Sequence, residues 1–113
     1  MTTRMILASG SNVRQQLLHN AGLAFDVSRA RVDERAVRES MLAEDARPRD
    51  IADALAEMKA MKVSSKHPSA LVIGCDQVLK LEHRIVNKPE TPEDVTAQLK
   101  ALRGKTHELL SAA

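Results

Sequence analysis

Aromatic side chains are almost missing from this chain: Phe25 stands alone, and tryptophan and tyrosine are absent. The core must therefore be built from Leu, Ile, Val, Ala and Met. The same scarcity argues against recognition of single-stranded nucleic acid, where bases stack on aromatic platforms. A single cysteine, Cys75, excludes an internal disulfide and fits a reducing compartment. No apolar run is long enough to span a bilayer, which argues against a membrane partner. The opening "MTTRMILAS" lacks the apolar stretch of a signal peptide, so a cytoplasmic protein is expected. No block of like charge occurs, and the net charge is only +2, which suits a small anionic ligand better than a long polyanion. P-loop, GxGxxG and zinc-ligand spacings are all absent. Ser9 and Ser11 lack the G-x-S-x-G context of a hydrolase nucleophile.

What is present is enough for one modest core in 113 residues, read as a single domain over 1–113. "RMILAS" reads as a short buried strand. "GSNVRQQLLHNAG" then reads as loop and helix, with Ser11 as cap, Leu17, Leu18 and Ala21 on one face, and Gly22 at the stop. "LAFDVSRA" alternates like a strand. "RVDERAVRES" reads as a loop entering a short helix. Residues 47–65 carry the strongest helical pattern, with Ile51, Ala54, Leu55, Met58 and Met61 on one stripe. "ALVIGCD" is continuously apolar up to Asp76 and reads as a strand buried on both faces. "QVLKLEHRIV" reads as two short strands about a turn near Glu82 and His83. "TPEDVTAQLKALRG" has an N-cap threonine, a first-turn proline and acids, and a terminal glycine. "THELLSAA" begins a further strand.

Four constellations carry chemical possibilities, each with an ordinary structural alternative. Ser9, Ser11 and Arg14 stand between a strand and a helix N-terminus, where backbone N–H groups attract phosphate; taken alone, the segment is more simply a capped helix with a solvated arginine. Asp33 and Glu34 have the oxygens a hard metal prefers, but also suit the start of a helix. Asp76 stands where open α/β sheets place ligands, or it simply turns the chain. Lys88 is aimed by the extended geometry that Pro89 imposes, or it is a common turn lysine. Helical periodicity turns Lys62 inward in preference to Lys59.

Taken together, "ILASGSNVRQQLLHNAGLAF", "VDER", "LAEMKA", "LVIGCDQVL", "NKPETPED" and "LRGKTHELLSA" resemble, in order and spacing, the Maf or septum-formation family of nucleoside triphosphate pyrophosphatases. The resemblance implies an α/β fold with a twisted mixed sheet flanked by helices, of Maf-like (ITPase-like) architecture. It implies a substrate nucleoside triphosphate, modified or non-standard, hydrolysed to monophosphate and pyrophosphate. The implied cofactor is a divalent metal, Mg²⁺ or else Mn²⁺, held by Glu34 and Asp76. Ser9, Ser11 and Arg14 would bind phosphate, Lys59 and Lys88 would neutralise its charge, and Asp76 would be the central carboxylate. On this point the resemblance selects Lys59 over Lys62. Val13 stands where the family usually has a second arginine. Gln77 after Asp76 is similar to the branch acting on 7-methyl-GTP, whereas "GKTHEL" is similar to the dTTP/UTP branch. The family name also implies a link to cell division. Family members are longer, so the domain is expected to be incomplete at its C-terminus. A catalytically impaired nucleotide-binding fragment is the alternative reading, and an unpaired edge at the final strand would permit a homodimer.

Overall fold

The structure, a computed structural model, describes residues 3–113. Its elements run β1 (Met5–Leu7), α1 (Asn12–Asn20), β2 (Asp26–Val27), α2 (Glu34–Ala43), α3 (Pro48–Ser64), β3 (Leu71–Ile73), β4 (Asp76–Leu81), β5 (Arg84–Val86), α4 (Pro92–Leu102) and β6 (His107–Ala112). The α/β class is as expected. Its mixed character is divided between two three-stranded sheets: a parallel one in the order β2-β1-β3 and an antiparallel one in the order β5-β4-β6. No helix among the described residues is long and apolar enough to cross a membrane.

The run read as one doubly buried strand is in fact two strands in two sheets. β3 pairs only with β1, with Val72 opposite Ile6, and its Leu71 is 54% exposed. After Gly74 and Cys75, Asp76 opens β4 opposite Ala112. The run is apolar because it serves two cores. Val72 packs on Ile6, Ala8 and Val63, while Val78 packs on Ile51, Ala52 and Leu55. β2 has two residues and pairs with β1, Asp26 opposite Ile6 and Val27 opposite Leu7. The β4–β5 hairpin turns at Glu82, which takes a left-handed φ of 58°.

Helix α3 holds both clusters, and its buried stripe differs from the expected one. Ile51, Ala52, Leu55, Ala56 and Val63 are buried, whereas Met58 and Met61 face outward. The reason is a close approach at Gly74. A Cβ there would stand 2.3 Å from the Ala56 carbonyl oxygen and 2.6 Å from the Ala60 nitrogen. Strand and helix meet backbone to backbone, so the contact face needs small residues rather than long apolar ones. This turns the stripe so that Lys59, about 80° round from Ile51, lies at its centre. Helix α1 departs from expectation in another way. Ser11 caps it and Gly22 ends it with a φ of 76°, but none of its residues is buried and Leu17 is 62% exposed.

Candidate functional site

All three parallel strands run toward one end of their sheet, and their C-terminal connections gather there, as ligand-binding ends of α/β sheets do. The connection after β1 brings Ser9, Ser11 and Arg14. The one after β2 leads to Asp33 and Glu34. The one after β3 is Gly74 and Cys75, leading into Asp76.

Asp33 and Glu34 divide the two roles proposed for them. The Asp33 carboxylate accepts the Ala36 N–H at 3.1 Å and caps α2. Glu34, the first residue of that helix, turns to the cleft and pairs with the Lys59 ammonium. Lys59 also donates to Asp76 Oδ1 at 3.1 Å and to the Cys75 carbonyl at 3.4 Å. The Lys59 and Asp76 side chains are only 12% and 10% exposed. A charge held out of water needs such partners, and each of these groups has them. Partial burial acts to raise the Glu34 carboxyl, but the hydrogen bond and charge of Lys59, followed by the charges of Arg38 and Lys88, outweigh it. The carboxyl lies below its ordinary range. Lys62 instead points outward and bonds the Arg31 carbonyl, the reverse of the periodicity reading.

Arg14 joins the first loop to the third. Its Nη1 donates to Ser9 Oγ and to the Cys75 carbonyl, both at 3.3 Å. Ser9 is buried and also accepts the Ser11 N–H at 3.1 Å. Ser11 Oγ accepts the Arg14 N–H as the helix cap. Arg14, Glu34, Lys59, Asp76, Gln77 and Lys88 line one cleft of about 510 Å³, together with Ser11 and Val13. Ser9 lines an adjoining cleft of about 580 Å³ that shares Glu34 and Lys59. The Gln77 amide is held by Ser111 Oγ at 2.9 Å.

Three residues escaped the sequence reading. Arg38 lines the cleft one helical turn beyond Glu34, a spacing that marks a shared face. Gly74 fixes the approach of Asp76 to α3; a lone glycine in an apolar run is the signal for close backbone contact. Gln98 on α4 donates to the Asn87 carbonyl at 2.7 Å and anchors the loop that carries Lys88. Nothing in the sequence pattern distinguishes it from other exposed helix glutamines.

The sequence model of the Maf-like protein family matches residues 4–113. The chain belongs to the Maf-like family. This Maf-like chain is 58% identical over all 113 residues to a nucleoside triphosphate pyrophosphatase of Ruegeria pomeroyi, and covers 57% of that protein. It is 54% identical over 110 residues to a protein of the same name from Caulobacter vibrioides, covering 97% of this chain and 55% of that one. It is 48% identical over 112 residues to a 7-methyl-GTP pyrophosphatase of Brucella abortus, covering 99% of this chain and 56% of that one. The Maf-like chain thus spans little more than half the length of these curated relatives.

Proposed function

We propose that the cleft binds a nucleoside triphosphate and supports its hydrolysis to a nucleoside monophosphate and pyrophosphate. One observation carries the reading: a largely enclosed ammonium, Lys59, joins two carboxylates, Glu34 and Asp76, in a cleft also lined by Arg14, Arg38 and Lys88. The names of the relatives support the same substrate class.

Metal binding is consistent with the donor set. Glu34 and Asp76 both reach the same ammonium, so their oxygens converge. No group of three or more metal-ligating side chains occurs among the described residues. Mg²⁺ suits such a site, since it binds through one or two carboxylates and substrate phosphates rather than in an all-protein cage. Held by Glu34 and Asp76, it would supply charge neutralisation at the phosphates.

This chain's own residues account for the rest. Arg14 and Lys88 line the cleft and bring positive charge to phosphate oxygens. Lys59, fixed by its carbonyl and carboxylate partners, presents an ammonium at the reacting phosphate without reorganising. The Asp76 carboxylate accepts a proton from the attacking water as its oxygen bonds to the α-phosphorus; the bond between that phosphorus and the α–β bridging oxygen breaks, and pyrophosphate leaves with the bridging oxygen. Phosphoryl transfer needs little more than this positioning and charge stabilisation.

The test is a substrate panel including dTTP, UTP and 7-methyl-GTP, with pyrophosphate detection, with and without Mg²⁺. Asp76→Asn should lower turnover by about 10²–10⁴-fold. Release of single orthophosphate, or unchanged turnover in Asp76→Asn, would overturn the reading. Nucleotide-dependent thermal stabilisation without pyrophosphate would favour a binding role.

A further inference from the structure

Among the described residues Arg38 forms no ion pair, although its charge is felt at Glu34. Arg38 is half-buried on α2 and stands four residues beyond Glu34, yet Glu34 pairs with Lys59 instead. Among the described residues no carboxylate lies within ion-pairing distance of its guanidinium. Its helix neighbour Arg35 is different, being exposed and paired with Glu39 at 3.1 Å. Arg38 faces the cleft with Arg14, Lys59 and Lys88, so four cations confront the two carboxylates Glu34 and Asp76. An excess of positive charge around a half-buried space draws anionic charge into it.

Position assigns the part of the ligand involved. Lys59 and Asp76 are the more enclosed pair, their side chains only 12% and 10% exposed. Arg38 and Lys88 lie farther out, because both also line an outer groove of about 490 Å³ that Lys59 and Asp76 do not reach. Within that groove Arg35 pairs with Glu39, and Asp94 accepts the Glu90 N–H; the Glu90 and Asp94 carboxylates also line it, but among the described residues neither forms an ion pair with Arg38 or Lys88. Arg38 and Lys88 remain as the cations shared between groove and cleft. A guanidinium there suits paired phosphate oxygens, whose geometry it matches in a bidentate fork.

We propose that Arg38 is a substrate-binding residue that grips the distal, pyrophosphate end of a nucleoside triphosphate, so that the cleft distinguishes triphosphate from monophosphate. The assignment rests on the nucleotide-binding reading of the cleft and deepens it. Arg38 acts with Lys88 as an outer clamp, while Lys59 and Asp76 act on the inner phosphate.

The experiment is calorimetric titration of the chain with inorganic pyrophosphate, a nucleoside triphosphate and the matching monophosphate, in Mg²⁺. Wild type is compared with Arg38→Ala, Arg38→Lys and Arg35→Ala, and circular dichroism checks folding. Arg38→Ala should weaken pyrophosphate and triphosphate about 10- to 100-fold, the loss expected for charge-assisted hydrogen bonds. Monophosphate affinity should stay within about twofold. Arg38→Lys should recover part of the loss, because charge returns without the fork. Arg35→Ala should bind as wild type does. Equal loss for mono- and triphosphate, or no loss for pyrophosphate, overturns the assignment. Arg38-dependent pyrophosphate binding without triphosphate binding upholds the anion clamp and defeats the nucleotide reading. Wild type that binds neither defeats both.

Discussion

Gly74 has no side chain, and the space where one would stand is already filled. An added Cβ would meet the Ala56 carbonyl oxygen at 2.3 Å and the Ala60 nitrogen at 2.6 Å, both backbone atoms of a helix that cannot swing aside as a flexible side chain would. Gly74→Ala must therefore push strand and helix apart. The residue two places on is Asp76, whose carboxylate is bonded to Lys59 on that same helix. Overpacking at a closed contact costs about 1–3 kcal/mol. Urea denaturation of Gly74→Ala should show a loss of that size, together with weaker nucleotide binding. Stability within about 0.5 kcal/mol of wild type would mean that the contact yields, and that Gly74 does not set the Lys59–Asp76 distance. Glu34 illustrates the opposite case, a side chain whose place is fixed by charge. Burial alone would raise its carboxyl, but Lys59 holds it low, so Glu34 is an anion in the cleft at neutral pH.

At the level of elements, helix α3 begins with a specific electrostatic device. Asp50 accepts the Arg47 backbone N–H at 3.2 Å and receives a two-point contact from the Arg47 guanidinium at 3.0 Å. The Arg47 hydrogen bonds hold the Asp50 carboxyl below its ordinary value of 3.8, against a weaker opposing effect of desolvation. The sign of the linkage follows: the folded state favours the ionised carboxylate, so its contribution is present above about pH 3.8 and lost as pH falls through the lowered folded value. Asp50→Asn should melt earlier than wild type at pH 7, and the two melting temperatures should converge as pH drops below that range. A gap that stays constant or widens toward low pH would show that the carboxylate charge is not what starts the helix. The helix itself was readable from residues 47–65, and so were the capped α4 and the β4–β5 hairpin. The break between β3 and β4 was not. Its residues are apolar on both sides of Gly74, and periodicity does not show a chain passing from one sheet to another. The methionines misled in the same way. Hydrophobicity put Met58 and Met61 on the buried stripe, whereas close packing chose Ala52 and Ala56.

Across the whole molecule, the site lies where it does because one helix belongs to two cores. Ile51, Ala52 and Leu55 near the start of α3 pack on Val78 of the antiparallel sheet. Val63 near its end packs on Ile6 and Ala8 beside the parallel sheet. Lys59 lies between these two groups, at the junction of the sheets, and meets Asp76 where the chain crosses from one to the other. Spacing alone did not place Lys59 there, since it takes the rotation of the helix against Gly74 to do so; the likeness of "LAEMKA" to a known family did. Arg38 needed the structure, because its significance depends on which neighbour Glu34 chose. A shared helix also makes the two sheets one cooperative unit. Leu55 is fully buried, and truncating such a leucine costs about 2–5 kcal/mol. Leu55 belongs to the cluster that includes Val78 of the antiparallel sheet, not to the one that includes Ile6. Yet if α3 is the common support, amide hydrogen exchange in Leu55→Ala should accelerate at Ile6 and Leu7 in β1 as well as at Val78 in β4, and by similar factors. Protection lost at Val78 but retained at Ile6 would divide the molecule into two independently opening sheets, and Lys59 would then be held at a hinge rather than in a common core.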